Sequence, residues 1–293
     1  MTISIAHLGP TGTFSEFAAA AYTQDFAPES VKLQAYSTIA QAIYATAKGD
    51  TQFCVVPIEN SIGGGVTITL DTLWEVDELK IQQAFTLPVQ HALISRANEI
   101  GDIKTVYSHP QALAQCRDWL SQNLPDAKQV RASSTAEPLG KLQDDTTGSA
   151  IASSWGAKIY NLPVLAHPIN DSADNYTRFW VLGKQPTNNA ATDSQYTSLA
   201  FSLRTNEPGA LLKPLQLFSA LNINMSRIES RPTKRLLGEY IFFVDVEASA
   251  NAQTMHTALE VLKLHTATLK IFGSYNLKTL ADPSETAIAP TKS

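Results

Sequence analysis

The sequence predicts an α/β protein in two parts, a larger part of alternating strands and helices and a smaller βαββαβ unit. Short apolar runs alternate with helix-like runs in the larger part, for example at residues 3–8 and 15–22, which is typical of strands layered with helices. A polar stretch, QPTNNAATDSQ, then interrupts the pattern at residues 185–195 and indicates a linker. The order βαββαβ that follows is that of a ferredoxin-like unit.

These changes of pattern set the expected domain boundaries. We expect a first domain at residues 1–184, a linker at 185–196, a second domain at 197–275 and a disordered tail at 276–293, which has little to bury. Pro214 falls inside the first helix of the second domain, predicted at residues 209–221, where it should kink the helix.

The composition narrows the class of protein. The 293 residues carry a formal net charge of −5, which argues against a general nucleic-acid binder because phosphate binding needs concentrated Lys and Arg. No apolar run approaches the ~18 residues of a membrane span, and the N-terminal residues lack the basic leader of a signal peptide. Cys54 and Cys116 have no partners at metal-ligand spacing, so we expect buried, reduced thiols in a cytoplasmic protein.

The first polar motif, GPTGTFSE at residues 9–16, joins a strand to an Ala-rich helix. Thr13 and Glu16 have the spacing of a capping box. Gly12 would let the backbone approach a ligand closely, and a helix N-terminus favours an anion. Taken alone, this segment is better explained as a plain strand–turn–helix joint.

The second motif, PIENSIGGG at residues 57–65, favours a functional interpretation. Glu59, Asn60 and Ser61 place a carboxylate, an amide and a hydroxyl at the end of a strand, which is where α/β sheets usually bind ligands. The alternative is a flexible loop with a helix cap. Burying polar groups costs free energy unless they are hydrogen-bonded. A turn alone therefore does not explain three polar groups beside a buried strand.

Two further motifs open a helix and a strand. In SHPQ at residues 108–111, Ser108 and Gln111 have capping-box spacing. We interpret His109 as structural, because a histidine at a helix terminus is more often structural than a general base. In NDSADNYTRF at residues 170–179, Thr177 can donate a hydroxyl proton and Arg178 can pair with a carboxylate. Taken alone, a Thr-Arg pair at the start of a strand is usually structural. The sequence shows no metal-binding cluster, nucleotide-binding glycine motif or catalytic-serine elbow.

The second domain carries two segments that together could hold an amino acid. PGALL at residues 208–212 leads into a helix with exposed amides, and IESRP at residues 228–232 places charged groups at the end of a strand. The alternative is a loop and a surface ion pair.

Taken together and in this order, the segments resemble the prephenate dehydratase family, and the C-terminal part resembles its ACT regulatory domain. The resemblance implies a two-lobed catalytic region like the type 2 periplasmic binding proteins, followed by the ferredoxin-like ACT domain. It also implies conversion of prephenate to phenylpyruvate, water and carbon dioxide, regulation by L-phenylalanine, and assembly into a homodimer or homotetramer. The family needs no metal or organic cofactor, no nucleic acid and no membrane. We expect no fused chorismate mutase domain.

The resemblance also assigns residues. In the family the threonine of the TRF motif, here Thr177, is the favoured proton donor. Active-site and substrate-binding positions match Glu59, Asn60, Gln111, Arg178, Ser61, Gly12 and Thr13. The phenylalanine site is expected where ACT domains meet, at Gly209, Ala210, Leu211, Leu212, Asn224, Glu229, Ser230, Arg231 and Pro232.

Two other functions compete with this assignment. An arogenate dehydratase would show the same motifs, because arogenate differs from prephenate by an amino group in place of a keto group. A non-catalytic solute-binding protein would share the two-lobed fold.

Because the second domain follows a polar linker, we expect a chain truncated near residue 185 to remain catalytic, if soluble, but to ignore phenylalanine.

Overall fold

The computed structural model describes residues 2–24, 26–27, 30–184, 194–286 and 288. The helices are α1 Phe14–Thr23, α2 Ile39–Lys48, α3 Thr67–Glu75, α4 Pro110–Gln115, α5 Arg117–Asn123, α6 Ser154–Tyr160, α7 Leu212–Ala220 and α8 Gln253–His265, with 3₁₀ turns at Ile100–Asp102 and Glu137–Lys141. The strands are β1 Ile3–Leu8, β2 Val31–Tyr36, β3 Phe53–Asn60, β4 Gly64–Gly65, β5 Lys80–Pro88, β6 Ala92–Ser95, β7 Thr105–Ser108, β8 Lys128–Arg131, β9 Gly148–Ala152, β10 Val164–Ala166, β11 Tyr176–Gly183, β12 Tyr196–Leu203, β13 Met225–Pro232, β14 Tyr240–Val246, β15 Thr266–Tyr275 and β16 Leu277–Thr279.

The first domain has two lobes, each built on its own sheet. The first lobe has the strand order β16-β5-β11-β3-β1-β2, with β4 paired to β3, and the second has β10-β6-β9-β7-β8. The chain crosses from the first lobe to the second between β5 and β6, and returns between β10 and β11. Helix α1 covers one face of the first sheet, and α2 and α3 cover the other. The predicted two-lobed α/β architecture is confirmed.

The second domain is the predicted ferredoxin-like unit, with the strand order β13-β14-β12-β15. Helices α7 and α8 cover one face of its sheet. The other face packs against the first lobe, where Phe243 and Phe272 share one apolar core with Trp180 and Leu182. This shared core joins the two domains although a polar linker was predicted between them. Residues 185–193 of that linker lie outside the described residues.

The prediction of a disordered tail is wrong for the described residues 276–286. Strand β16 pairs in parallel with β5, with Leu277 opposite Ala84 and Thr279 opposite Thr86. Farther on, the Asp282 side chain is buried. The reason is that β5 would otherwise leave a row of unpaired backbone groups at the edge of the sheet, and three residues of almost any composition can satisfy them.

Local helix signals also differ from the prediction at two places. Helix α7 starts at Leu212, so Pro214 occupies its third position, where no intrahelical N–H bond is lost and no kink results. At α4 the N-cap is His109, whose Nδ1 accepts the Gln111 N–H at 3.2 Å. The Ser108 hydroxyl instead donates to the Ile151 carbonyl at 2.6 Å.

The remaining predictions concern thiols and membranes. Cys54 and Cys116 are buried free thiols, and burial raises the pKa of each to about 12. Among the helices of the described residues, none has the length and apolar character needed to cross a bilayer.

Candidate active site

The centre of the site is a pair of side chains on adjacent strands of the first lobe. Strands β3 and β11 are antiparallel and place Thr177 opposite Asn60. The Asn60 Nδ2 group donates to Thr177 Oγ1 at 3.0 Å and to Asn175 Oδ1 at 2.8 Å. Asn60 Oδ1 accepts the backbone N–H of Gly63 at 2.8 Å. The amide is therefore fixed, and within the described residues the Thr177 hydroxyl has no acceptor for its own proton.

A chain of polar side chains behind Asn60 fixes this arrangement. Asn175 is buried, and its Nδ2 donates to Gln115 Oε1 at 3.3 Å. The same oxygen lies 2.9 Å from His91 Nε2. Burial lowers the pKa of His91, so the ring is neutral near pH 7, and it must carry its proton on Nε2 because Gln115 Oε1 can only accept. Sequence reasoning missed these three residues, although Asn175 lies inside the NDSADNYTRF motif.

Gln111 brings the second lobe to the same place. It lies in the first turn of α4, and a Cβ atom added to Gly63 would lie 3.3 Å from Gln111 Nε2 and 3.4 Å from Asn60 Oδ1. Both amides therefore lie close to Gly63. The structure brings together the predicted residues Thr177 and Asn60 of the first lobe and Gln111 of the second.

Ser61 lies beside this cluster but uses its hydroxyl within the protein. It donates to the Asp174 carbonyl at 3.0 Å and accepts the Tyr176 N–H at 2.9 Å. These bonds tie the loop after β3 to the loop before β11. Ser61 thus supports the start of β11, and its predicted substrate contact stays a prediction.

Thr13 is likewise engaged in local structure. It is the N-cap of α1, and its hydroxyl accepts the Glu16 N–H at 3.3 Å and donates to the Leu8 carbonyl at 3.1 Å. Only the threonine half of the predicted capping box is formed, because the Glu16 carboxylate turns elsewhere. Thr13 is thus a helix cap in this structure, and its predicted substrate role stays a prediction.

Gly12 fastens the first lobe to α6 of the second. Its N–H donates to the Glu16 carboxylate at 2.7 Å, and that carboxylate also accepts the Trp155 Nε1–H at 3.0 Å. Its carbonyl accepts the Ser153 hydroxyl at 2.8 Å. With φ at +90° the position requires glycine. Gly12 therefore joins the lobes, and its predicted substrate role stays a prediction.

Arg178 lies on the opposite face of β11 from Thr177. Successive side chains of a strand point to opposite faces of the sheet; Phe179 packs with α1, whereas Trp180 packs with α2, α3 and the second domain. Arg178 shares the face of Trp180 and points to the second domain, where its Nη1 donates to Asp245 at 3.0 Å. The structure therefore places Arg178 on the face of β11 away from Thr177, and its predicted contact with the substrate stays a prediction.

Glu59 belongs to the same interdomain cluster. Its Oε2 lies 3.8 Å from Arg178 Nε and 3.8 Å from Arg227 Nε of the second domain. Strand pairing explains the position, because Glu59 is the partner of Arg178 across β3 and β11. In this structure Glu59 makes a charge contact between the domains, and its predicted catalytic role stays a prediction.

The cluster is centred on a buried carboxylate. Asp245 is 1% exposed; its Oδ2 accepts from Arg178 and its Oδ1 accepts the Ser198 hydroxyl at 2.5 Å. Arg227 Nη1 lies 3.6 Å from Oδ2, and Arg227 Nη2 donates to Glu229 at 2.7 Å. Burial raises the pKa of Asp245, and the two guanidinium groups oppose that rise.

The residues expected to bind phenylalanine divide between two surfaces. Glu229 and Arg231 point to the first lobe. A Cβ atom on Gly65 would overlap the Glu229 carboxylate, and Arg231 bonds Asp71 of α3 through two nitrogens at 2.8 and 3.0 Å.

The other predicted effector residues lie at the outer surface of the second domain, where Leu212, Asn224, Ser230 and Pro232 are exposed. In the loop before α7, the Ala210 N–H donates to the Glu207 carbonyl at 3.0 Å and the Leu212 N–H donates to the Gly209 carbonyl at 3.0 Å. Within the described residues, the backbone N–H groups of Gly209 and Leu211 have no acceptor in this loop. These two are the amides that could still bind a ligand, as predicted for the loop.

Comparison with known proteins places the chain in a family. The family model "Prephenate dehydratase" matches residues 5–187, and the model "ACT domain" matches residues 197–263. The prephenate dehydratase of Lactococcus lactis subsp. cremoris is 37% identical over 286 residues, which cover 96% of this chain and 100% of that protein.

Solved structures agree with this comparison. The prephenate dehydratase of Arthrobacter aurescens in complex with L-Phe is similar, with a TM-score of 0.83 at 33% identity, covering 98% of this chain and 94% of that one. A structure described as GqqA, a novel type of quorum-quenching acylase, has a TM-score of 0.81 at 26% identity, covering 97% of this chain and 100% of that one. The match over more than half of the chain, together with the relative of full length, shows that the chain belongs to the prephenate dehydratase family and carries an ACT domain.

Proposed function

We propose that the chain catalyses the decarboxylating dehydration of prephenate to phenylpyruvate, water and carbon dioxide, and that Thr177 is the proton donor. The observation that carries this proposal is the Asn60–Thr177 hydrogen bond in the cleft, which leaves the Thr177 proton available. A biosynthetic reaction of this kind belongs in the cytoplasm.

The chemistry requires little more than a proton and a polar cleft. The C–O bond to the ring hydroxyl and the C–C bond to the carboxylate break together, and the ring becomes aromatic. Thr177 gives its proton to the departing hydroxyl, which leaves as water, and the Thr177 oxygen regains a proton from solvent. The electron pair of the broken C–C bond enters the ring, and carbon dioxide departs. A positioned acid of this type accelerates a reaction by ~10²–10⁴-fold.

Asn60 makes the Thr177 hydroxyl a better acid. A hydrogen bond donated to Oγ1 stabilises the negative charge that develops there as the proton leaves. Asn60 is itself held by the Gly63 N–H and Asn175, so the donor is already oriented before substrate binds. Gln111, on the opposite lobe, can donate to the substrate from across the cleft.

The test is the formation of phenylpyruvate and carbon dioxide from prephenate. We expect Thr177→Ala to lower kcat by ~10²–10⁴-fold with little change in KM. Thr177→Ser keeps the hydroxyl and should retain part of the activity. A Thr177→Ala variant with normal turnover would exclude Thr177 as the acid.

The identity of the substrate needs a separate measurement. The acylase with the same architecture indicates that fold by itself does not select the reaction. Arogenate has the same ring hydroxyl and carboxylate as prephenate, so Thr177 and Asn60 would serve either substrate. We assign prephenate on the family match, and kcat/KM for the two compounds, measured side by side, tests the assignment.

We further propose that L-phenylalanine regulates the enzyme by binding at the outer surface of the second domain. The related structure from Arthrobacter aurescens was solved in complex with L-Phe. In this chain the free amides of Gly209 and Leu211 suit the ligand's carboxylate. Asn224, Ile228 and Ser230, in and just before β13, are exposed at the surface of the same domain. Coupling of ordinary size, about 1–3 kcal/mol, would change activity by roughly 5–150-fold.

Two variants separate binding of phenylalanine from its effect. We expect Asn224→Ala to weaken phenylalanine binding measured by calorimetry. Arg231→Ala, which removes the bond to Asp71, should leave that binding intact while more phenylalanine is needed for the same inhibition. Unaltered inhibition in both variants would place the effector elsewhere.

We propose that the active form is a homodimer or homotetramer assembled through the second domain. In the described residues β13 lies at the edge of its sheet, with β14 as its neighbour. Ile228, Leu236, Leu237 and Tyr240 are exposed there, and an unpaired edge flanked by apolar side chains favours association. Light scattering of the wild type and of Ile228→Arg tests this, with a smaller species expected for the variant.

A further inference from the structure

The second domain holds the residue next to the proposed acid. Arg178 follows Thr177 directly on β11, and its Nη1 donates to Asp245 Oδ2 at 3.0 Å. The Arg178 side chain is 21% exposed and Asp245 is 1% exposed. The contact is therefore a largely buried ion pair joining the two domains beside the proposed active site.

The hydrogen bonds of Asp245 are divided between its two oxygens. Oδ2 accepts from Arg178, whereas Oδ1 accepts the Ser198 hydroxyl. Arg227 lies 3.6 Å from Oδ2, which is too long for a good hydrogen bond. Arg178 has only one other charged neighbour among the described residues, Glu59 at 3.8 Å. The orientation of Arg178 is thus set chiefly by Asp245.

The strand next to Arg178 carries a β-bulge. Arg178 pairs with Glu59 and Phe179 pairs with Pro57, so Ile58 of β3 is left without a partner on β11. On its other side β11 pairs with β5 in unbroken register from Tyr176 to Val181. Because Thr177 and Arg178 leave β11 on opposite faces, the contact with Asp245 holds this part of the strand from the face away from Thr177.

We propose that Asp245 is a positioning residue for the reaction: through Arg178, this carboxylate of the second domain fixes the start of β11 and thereby the orientation of the Thr177 hydroxyl. The inference rests on the proposed function. It gives the second domain a part in catalysis in addition to effector binding. It also gives Arg178 a role on the face of the strand away from the substrate.

The experiment compares kcat and KM for prephenate in Asp245→Asn, Arg178→Met and the double variant. We expect Asp245→Asn to lower kcat by roughly 10-fold with KM within about twofold, because a displaced acid slows the reaction without weakening substrate binding. In the Arg178→Met background, Asp245→Asn should have no further effect on kcat, because the proposed route passes through Arg178.

Ser198→Ala is the matched control. It removes the bond to the other oxygen of the same buried carboxylate and leaves Arg178 in place. We expect kcat within about twofold of the wild type, even where the unfolding temperature falls. An equal loss of kcat in Ser198→Ala and Asp245→Asn would mean that Asp245 acts only through stability, and the proposal would be overturned.

The remaining outcomes are also decisive. If Asp245→Asn does not fold, Arg178→Met by itself tests the proposal: a fall in kcat supports it, whereas a rise in KM at constant kcat means that Arg178 binds the substrate directly and overturns it. Normal kcat in a folded Asp245→Asn overturns it as well. Failure of the wild type to convert prephenate would instead count against the proposed function.

Discussion

At the scale of single residues, the site depends on which atom of each side chain donates. Asn60 is effective because its Nδ2 faces Thr177 Oγ1 and its Oδ1 faces the Gly63 N–H. Reversing those roles would turn the Thr177 proton back toward the protein. The amide orientation is fixed by partners that can only donate or only accept, so it follows from the structure and not from the residue type alone.

This leads to a prediction for Asn60→Asp. The carboxylate would accept the Thr177 proton and would also repel the carboxylates of prephenate, so we expect a fall in kcat of roughly 10²-fold and a higher KM. Asn60→Ser, which can still donate to Thr177 through a water molecule, should be less impaired. Steady-state kinetics measure both, and an Asn60→Asp variant as active as Asn60→Ser would contradict the assigned donor role.

A second prediction at this scale concerns the ion pair between Asp71 of α3 and Arg231 of β13. The hydrogen bonds from Arg231 lower the pKa of Asp71 in the folded protein, with Lys234 adding to the effect. A lowered folded pKa stabilises the protein above the unfolded value of about 3.9, and the stabilisation is lost as pH falls through the folded pKa.

We therefore expect Asp71→Asn to lower the free energy of unfolding by about 1–2 kcal/mol at pH 6, with the difference from the wild type shrinking below pH 4. Denaturant unfolding across this range measures it. Asp77→Asn is the control, because Asp77 also pairs with the second domain, through Lys270, but is 82% exposed and should matter little. A difference that persists unchanged at pH 3 would argue against the ion pair as its source.

At the scale of elements, the alternation of side chains along strands decides which surface each motif serves. Thr177 and Arg178 are neighbours in sequence but face the cleft and the second domain respectively. On β13, Arg227, Glu229 and Arg231 face the first lobe, and Ile228 and Ser230 face outward. One strand of the second domain can thus contact an effector on one face and the catalytic lobe on the other.

The loop after β3 offers a test of this contact. A Cβ atom on Gly65 would overlap the Glu229 carboxylate, whereas a Cβ atom on Gly101 meets nothing within 4 Å. We expect Gly65→Ala to displace Glu229 from Arg227 and to lower the free energy of unfolding by about 1–2 kcal/mol. Gly101→Ala should be close to neutral.

The matching double variant identifies the cause. In Glu229→Ala the carboxylate is gone, so adding Gly65→Ala should cost little more. Thermal unfolding of the four proteins gives the interaction energy. Strictly additive losses would mean that Gly65 is required for another reason.

At the scale of the whole molecule, the second domain completes the core of the first. Phe243 and Phe272 pack with Trp180 and Leu182 in one cluster. The chain that follows β15 supplies β16 to the sheet of the first lobe. The domains therefore share an apolar core, an edge strand and the ion cluster at Asp245.

The structure changes the expected result of truncation near residue 185. A chain ending there would expose the apolar face around Trp180 and Leu182, leave β5 at an open edge and leave Arg178 without Asp245. We expect a lower unfolding temperature and binding of an apolar dye. A well-folded, fully active truncated chain would contradict both this expectation and the role proposed for Asp245. Point variants such as Arg231→Ala are therefore the better test of regulation.

The sequence by itself determined the fold class, the ferredoxin-like order of the second domain and the motifs that carry Thr177, Asn60 and Gln111. These depend on periodicity, turn residues and short motifs, which are local properties of the chain. It did not indicate the pairing of β16 with β5, because an unsatisfied sheet edge is a property of the assembled sheet. It also did not show the role of Asn175, Gln115 and His91, whose contacts join distant segments.

Only the tertiary structure decided which predicted residues share a site. Glu59 and Arg178 have residue types suited to catalysis and substrate binding, but the strand faces turn them toward Asp245 and Arg227. Gly12 and Thr13 have a ligand-binding sequence, but their polar groups are used by Glu16 and α6. Residue type limits what a side chain can do chemically, whereas the direction in which it points depends on register and packing between segments far apart in the chain.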